Sequence, residues 1–310
     1  MDLSACLAYT PYLLMEGALG ERLKREFHLR IDGPVGMADL IYLKSGRKAL
    51  QTLWQEYRSI AEAYRLPFLA TTPTRRCNRE RTAKSVYPES ILKDNVAFLQ
   101  ELKTKSSVPV YTGGLMGCKG DAYTGEGCLT TAKAHSFHSW QADRLAAAGA
   151  DFLYAGIMPA LEEAKGMAMA MGNTRLPYLI SFTIQSNGRL IDGTSIHDAI
   201  ASIDDAAATA PLGYMANCVH PSIVRKALSQ LCNQTNLVQT RFLGVQANTS
   251  ALSYAELDSS PDLKGSKPED WTEAMMALER ENHIRIFGGC CGTDQRHMEA
   301  LAKRLAAKNG

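Results

Sequence analysis

The sequence has few features of exported, membrane-bound or nucleic-acid-binding proteins. It contains no run of about 18 apolar residues, so no segment is predicted to span a bilayer as a helix. The formal net charge is only +2, which is too small to favour nucleic acid or an anionic membrane as the partner. Asp2 stands where a signal peptide would carry positive charge, and we therefore predict a cytoplasmic protein.

Cysteine is sparse, with 8 residues in a chain of 310. This number is too small for a disulfide scaffold, so the cysteines are predicted to be thiols, metal ligands or catalytic groups. No CxxC pair is present, and local spacing alone therefore does not identify a metal site. A linker rich in proline and serine is also missing, so residues 1–310 are predicted to form one domain.

Short apolar runs recur along the chain, and each is apolar throughout rather than alternating, as in strands that are buried on both faces. They lie at residues 12–17, 67–74, 108–114, 151–157, 178–184, 213–219, 241–248 and 284–291. Amphipathic helical patterns lie between them, and alternation of strands and helices predicts a parallel sheet. Eight such units in about 300 residues favour an α/β fold of the closed (β/α)₈ barrel type.

Three cysteines fall at the ends of predicted strands, where barrels of this type carry their active sites. They are Cys218, after the sixth strand, and the pair Cys290 and Cys291, after the eighth. The residues alone leave three interpretations open: inert buried thiols, a vicinal 290–291 disulfide with a redox role, or a zinc site with one open position. Flanking glycines and helix starts predicted at Pro221 and Thr293 favour thiolates and therefore zinc.

The pair "NC" at 217–218 and the motif "GGCCGT" at 288–293 resemble the homocysteine S-methyltransferase family. "LLMEGALGERL", "FLATTPT" and "RLAAAGADFLYAGIMPALEEA" extend this resemblance along the chain. The resemblance implies a zinc-dependent barrel enzyme of methionine biosynthesis, which methylates the thiol of homocysteine. It also implies that Cys218, Cys290 and Cys291 hold Zn²⁺ and that the substrate thiol takes the fourth position.

The resemblance implies small-molecule partners, a thiol acceptor and a methyl donor that is an onium compound. S-methylmethionine, S-adenosylmethionine and betaine are the expected donors, since a cation would be attracted by an anionic zinc–thiolate group. No partner nucleic acid or membrane is expected, and the sequence contains no feature that assigns an oligomeric state.

The chain departs from the family at the end of the pocket that binds the amino acid. Gly156 stands where relatives carry a glutamate for the amino group of homocysteine, and Glu16 replaces an aspartate that faces the same group. Thr72 and Pro73 replace part of a Thr-Asn-Thr segment. The alternative functions are therefore a zinc barrel that acts on a different thiol, or a non-catalytic zinc protein or corrinoid partner. The predicted substrate contacts are Glu16, Thr72, Gly156 and Asn248.

Other polar residues near strand ends are assigned structural roles. The segment 113–121 is predicted to be a glycine-rich barrel loop near the site, and Glu162 and Glu163 a solvated helix start. Three tyrosines are predicted to lie in the core: Tyr12, Tyr111 and Tyr214. Four histidines are predicted to be surface or capping residues: His135, His138, His220 and His297.

Overall fold

Eight parallel strands close into a barrel in the order in which they occur along the chain. The structure is a computed structural model that describes residues 1–252 and 265–308. The strands are β1 Leu13–Met15, β2 Phe68–Thr71, β3 Val110–Gly117, β4 Phe152–Met158, β5 Tyr178–Phe182, β6 Gly213–Val219, β7 Phe242–Ala247 and β8 Ile286–Gly289. Each predicted apolar run overlaps one of these strands, which confirms the (β/α)₈ fold, and only β3 and β4 extend beyond their predicted runs. Because β3 extends to Gly117, the loop predicted at 113–121 begins only after that residue.

Helices connect the strands on the outside of the barrel. They are α1 Leu3–Tyr9, α2 Gly20–Arg25, α3 Lys44–Ala63, α4 Arg79–Ala83, α5 Ile91–Lys103, α6 Thr131–Ala147, α7 Leu161–Asn173, α8 Ile196–Ala206, α9 Pro221–Leu228, α10 Asn236–Arg241, α11 Pro268–Asn282 and α12 Gln295–Ala306. Short 3-10 helices span Gly36–Tyr42 and Leu231–Asn233. No helix among residues 1–252 and 265–308 is long and apolar enough to cross a membrane.

The strands are apolar along their length because both of their faces are buried. Leu13, Met15 and Leu69 contribute to the cluster inside the barrel, whereas Leu14 and Phe68 join the layer between the sheet and the helices. This alternation follows from the two-residue period of a strand. Leu3, Cys6 and Leu7 of α1 also pack into the inner cluster. The carboxyl-terminal end of the barrel carries the polar residues described below.

Helices α6 and α7 approach closely at Gly166. An alanine Cβ at this position would lie 2.5 Å from the Cβ of Ala134, a separation that real side chains do not adopt. Glycine-to-alanine changes in helices usually stabilise by about 1 kcal/mol. Here the crowding outweighs that gain, so Gly166→Ala is expected to lower the free energy of unfolding in urea by about 2 kcal/mol.

A matched change at Gly20, the first residue of α2, is the control. Its alanine Cβ would meet only the flexible ends of Ile31 and Met37, at 3.3 and 3.4 Å. The free energy of unfolding of Gly20→Ala is expected to stay within about 0.5 kcal/mol of the wild type. Stabilisation by Gly166→Ala would show that the two helices separate without loss of packing.

Candidate metal centre

Three cysteine sulfurs meet at the carboxyl-terminal edge of the barrel. Cys218 lies near the end of β6, and Cys290 and Cys291 directly follow β8. The three Sγ atoms all lie within 4.8 Å of one another. Within the described ranges, these residues form the one group of three His, Cys, Asp or Glu side chains that could hold a metal ion. The structure therefore brings together all three cysteines that the sequence predicted as ligands.

A bulge near the end of β6 places Cys218 in this group. The register between β6 and β7 shifts between Asn217 and Val219, which leaves Cys218 as the extra residue. Cys218 has a φ of 52°, in the left-handed region that residues other than glycine rarely adopt. The Nδ2 of Asn248 donates to the carbonyl oxygen of Cys218 at 2.8 Å and supports this conformation. Such local strain is typical of functional sites.

Two glycines allow the chain after β8 to present both remaining cysteines. A Cβ at Gly289 would lie 2.8 Å from the Cβ of Thr293, and Gly292 has a φ of 84°. The predicted helix cap at Thr293 is wrong, because its hydroxyl donates to the Cys290 carbonyl oxygen at 2.7 Å. Asp294 caps α12 instead.

The positions of the three sulfurs are compatible with two chemical states. Cys218 and Cys290 form a disulfide in this structure, with Cα atoms 5.4 Å apart, and Cys291 is a free thiol. The 290–291 disulfide, one of the three interpretations that the residues left open, is not the pairing in this structure, because Cys290 is joined to Cys218 of β6. When reduced, the same residues offer three soft thiolates. Sulfur ligands of tetrahedral zinc lie about 3.8 Å apart, so this donor set fits zinc.

Helix starts near the cysteines also favour thiolates. His220 caps α9, which has Pro221 in its first turn, and His297 forms a capping box with Asp294 at the start of α12. These two histidines therefore have the predicted capping role. Burial lowers the pKa of His220, so its imidazole is neutral at physiological pH. The positive ends of α9 and α12 stabilise nearby negative charge.

A buried carboxyl group lies at the end of β1. Glu16 is only 3% exposed, and its Oε1 accepts a hydrogen bond from the Thr71 hydroxyl at 2.5 Å. Both of its oxygens also lie 3.2 Å from the Thr71 backbone nitrogen. Burial raises the pKa of Glu16 to about 7, and the hydrogen bonds offset this effect only in part. A bound cation would favour the ionised form.

Similarity to known proteins extends over nearly the whole chain. Residues 13–305 match the sequence profile described as homocysteine S-methyltransferase. The chain belongs to the homocysteine S-methyltransferase family. The predicted resemblance is thus confirmed, and the protein is a methyltransferase enzyme of this family.

Named relatives in the family are distant in sequence. Homocysteine S-methyltransferase 1 of Zea mays is 22% identical over 313 residues, which cover 99% of this chain and 88% of that protein. Homocysteine S-methyltransferase 2 of Arabidopsis thaliana is 23% identical over 179 residues, or 57% of this chain. That alignment spans about half of the Arabidopsis protein, 52% of its length. Homocysteine S-methyltransferase YbgG of Bacillus subtilis is 24% identical over 186 residues, covering 59% of this chain and 56% of that protein.

Solved structures in the family share the barrel. The oxidized form of the homocysteine methyltransferase MmuM from Escherichia coli superimposes with a TM-score of 0.75 at 20% identity, covering 97% of this chain and 99% of MmuM. The metallated form of MmuM gives a TM-score of 0.74 at 19% identity, covering 97% and 98%. At this identity the likeness shows a common fold.

The other predicted substrate contacts of this family member lie around the same edge of the barrel. The Thr72 hydroxyl is used within the protein, since it lies 2.7 Å from the Thr74 hydroxyl and accepts from the Leu115 nitrogen at 3.0 Å. A Cβ at Gly156 would lie 2.8 Å from Cδ1 of Leu115, so Leu115 occupies the space beside this glycine. The Oδ1 of Asn248 has no hydrogen-bond partner in the described part of the chain. Their contacts with substrate stay predictions.

Three neutral polar side chains, those of Tyr154, Asn217 and Gln246, form a hydrogen-bonded group inside the barrel. The Tyr154 hydroxyl is 2.9 Å from both Asn217 Oδ1 and Gln246 Oε1. Asn217 Nδ2 also donates to Gln246 Oε1 at 2.6 Å. Because Asn217 directly precedes Cys218, this group supports the strand end that carries the first sulfur.

The predicted solvated role of Glu163 is wrong, and so is the predicted surface position of His138. Both side chains are fully buried, and His138 Nε2 lies 2.9 Å from Glu163 Oε1. The two oxygens of Glu163 also accept from the backbone nitrogens of Lys119 and Leu129, at 2.7 and 3.1 Å. Burial acts to raise the pKa of Glu163, but these hydrogen bonds and His138 bring it below its ordinary value. Glu163 thus links the two ends of the loop after β3 through its hydrogen bonds with Lys119 and Leu129.

This loop carries an aromatic residue that the sequence reasoning missed. Tyr123 packs with Ala122, Ile157 and Cys218, next to the sulfur cluster. Burial raises the pKa of the Tyr123 phenol to about 12, so the ring is neutral. The available signal was an aromatic residue in a glycine-rich segment after the third strand. The sequence directs attention to other tyrosines, Tyr12, Tyr111 and Tyr214, which are predicted to lie in the core.

Proposed function

We propose that this protein transfers a methyl group from an onium donor to the thiol of homocysteine, giving methionine. S-methylmethionine, S-adenosylmethionine and betaine are the candidate donors. The observation that carries the proposal is the convergence of three cysteine sulfurs within 4.8 Å at the functional edge of a barrel from this family.

Cys218, Cys290 and Cys291 are the proposed zinc ligands. When bound, zinc keeps a substrate thiol deprotonated near neutral pH while leaving it nucleophilic. The three thiolates carry more negative charge than a divalent metal neutralises, so they would attract a cationic methyl donor. Burial and the nearby Glu21 act to raise the pKa of the Cys291 thiol, and the N-terminal ends of α9 and α12 are proposed to oppose this effect and favour thiolates.

Other side chains of this protein are proposed to bind and orient the substrates. Glu16, held by Thr71, is positioned to pair with the ammonium group of homocysteine. The free Oδ1 of Asn248 offers an additional acceptor. Tyr123 supplies an aromatic surface beside the sulfurs, and such a surface attracts a sulfonium or quaternary ammonium group.

A different thiol acceptor is the second candidate, and the surroundings of Gly156 favour it. Leu115 fills the space beside this glycine, so this side of the pocket presents an apolar group. An ammonium group that loses one buried anionic partner binds more weakly by about 2–5 kcal/mol. A thiol without an ammonium at this position avoids that loss.

The test measures zinc content and then methyl transfer to a panel of thiols. Reduced protein is expected to bind about one zinc per chain and to form methionine from homocysteine with at least one of the three donors. Protein kept oxidised, with Cys218 and Cys290 joined, is the control and should bind no zinc. If fully zinc-loaded protein methylates no thiol from any donor, the proposed reaction is refuted and a non-catalytic zinc or corrinoid-partner role remains.

A further inference from the structure

A guanidinium group without a partner lies at the same edge of the barrel. Arg75 follows β2 and is half-buried, and it makes no hydrogen bond or ion pair with any residue in 1–252 or 265–308. Arg22 and Arg241, which are also withdrawn from solvent, are each paired with a carboxylate. A partly buried charge is more favourable when it is paired, and an anionic ligand would supply the partner that Arg75 lacks in the described part of the chain.

Neighbouring residues hold Arg75 in place. Its Cγ packs on Gly117 at the end of β3, where a Cβ would lie only 2.5 Å away. The preceding residue, Thr74, donates through its hydroxyl to the Leu115 carbonyl oxygen at 2.8 Å. Gln141 Nε2 donates to the Thr74 carbonyl oxygen, also at 2.8 Å. The backbone before Arg75 and the first part of its side chain are therefore fixed.

Arg75 lies near the metal centre, because its side chain packs on Gly117, and the next residue, Cys118, packs with Cys218 and Cys290. The charge of Arg75 acts on the Cys118 thiol and the Tyr123 phenol of the loop after β3, and on the Cys291 thiol. In each case the positive charge of Arg75 acts to lower the pKa, so the guanidinium group is near enough to this loop and to Cys291 to affect both.

We propose that Arg75 binds the carboxylate of a substrate at the mouth of the barrel. The planar N–H fork of arginine matches the two oxygens of a carboxylate, which makes this pairing stronger than a single hydrogen bond. Glu16 and Arg75 follow the neighbouring strands β1 and β2, so a carboxyl group and a guanidinium group lie near adjacent strand ends. Such an arrangement suits an amino acid, because its ammonium group can pair with the carboxyl group of Glu16 and its carboxylate with Arg75. The inference rests on the proposed methyl transfer, in which both the acceptor and the donors carry carboxylates.

Two pairs of compounds separate the possible sources of the carboxylate. The acceptor pair is homocysteine and 3-aminopropanethiol, and the donor pair is S-methylmethionine and (3-aminopropyl)dimethylsulfonium. The second member of each pair lacks only the carboxylate. Arg75→Gln is expected to raise the KM of the carboxylate-bearing member of one pair by about 30-fold. The KM of the member of that pair without the carboxylate should stay within about twofold of its wild-type value, because this compound has no carboxylate for the guanidinium group to bind. Arg75→Lys should recover part of the loss.

Arg76→Gln is the matched control. Arg76 is exposed, packs over Gly36, and lies next to Arg75 in the chain, so its loss should leave every KM unchanged. Equal effects of Arg75→Gln on compounds with and without the carboxylate, or no effect in either pair, would overturn the inference.

Calorimetric titration separates this inference from the proposed reaction. The same four compounds are titrated into reduced, zinc-loaded wild type and Arg75→Gln. Weaker binding of only the carboxylate-bearing member of a pair supports the role of Arg75 even if no methyl group is transferred. Binding that does not depend on the carboxylate in either pair overturns that role, whether or not the protein is an active methyltransferase.

Discussion

Replacing Cys291 with alanine is expected to abolish zinc binding and to lower the rate of methyl transfer by about 1000-fold or more. The remaining two sulfurs, of Cys218 and Cys290, supply one ligand fewer than the three that a catalytic zinc site needs, and they pair with each other in this structure. A 1000-fold loss corresponds to about 4 kcal/mol of transition-state stabilisation. Zinc per chain and methionine formation are measured in the same reduced preparation. The corresponding alanine variants at positions 218 and 290 should behave alike.

Cys232→Ala provides the matched control for these variants. Cys232 lies in the short 3-10 helix Leu231–Asn233 and does not belong to the sulfur cluster. Its loss should leave zinc content and methyl transfer unchanged. Retention of one zinc per chain by all three cluster variants would place the metal elsewhere and remove the basis of the proposed function.

The free energy of unfolding should depend on pH through Glu16. Folding raises the pKa of this carboxyl group from 4.5 to about 7, mainly through burial. Between these values the folded protein holds a proton that the unfolded chain has released, so stability falls as the pH rises. A difference of 1 in pKa corresponds to about 1.4 kcal/mol, and Glu16 therefore lowers stability by about 3 kcal/mol once the pH exceeds its folded pKa.

The variant Glu16→Gln isolates this contribution, because glutamine fills the same space and carries no charge. In urea unfolding of the metal-free protein, the stability of the variant relative to the wild type should increase by about 3 kcal/mol between pH 4.5 and pH 8. Glu299→Gln, at an exposed position on α12, is the control and should show a constant difference. A constant difference for Glu16→Gln would mean that burial does not raise the pKa of this group.

Much of the barrel could be predicted because its signals are local. A run such as "YLISF" at 178–182 is apolar except for Ser181, since one face of β5 packs inside the barrel and the other packs on helices. The cysteines could be placed at strand ends for the same reason. Their convergence required the closed order of the strands, which brings the ends of β6 and β8 to one edge.

Predictions failed where a residue's surroundings come from distant parts of the chain. Glu163 follows Glu162 at the start of α7, and nothing in that segment indicates which of the two is buried. The loop after β3 donates two backbone hydrogen bonds to Glu163. Nε2 of His138, on α6, lies 2.9 Å from Glu163 Oε1. The position of Tyr123 beside the sulfurs depends on the same loop.

The sequence by itself determined the barrel, the family and the three candidate ligands, because strand periodicity, strand ends and the "GGCCGT" motif are properties of short segments. Only the tertiary structure decided that the Cys218 and Cys290 sulfurs meet, that Glu16 and Glu163 are buried, and that Arg75 has no partner among the residues that the structure describes. The physical reason is that burial and pairing depend on neighbours far away in the chain. Those neighbours are set by closure of the sheet and by the loops that fold over its edge.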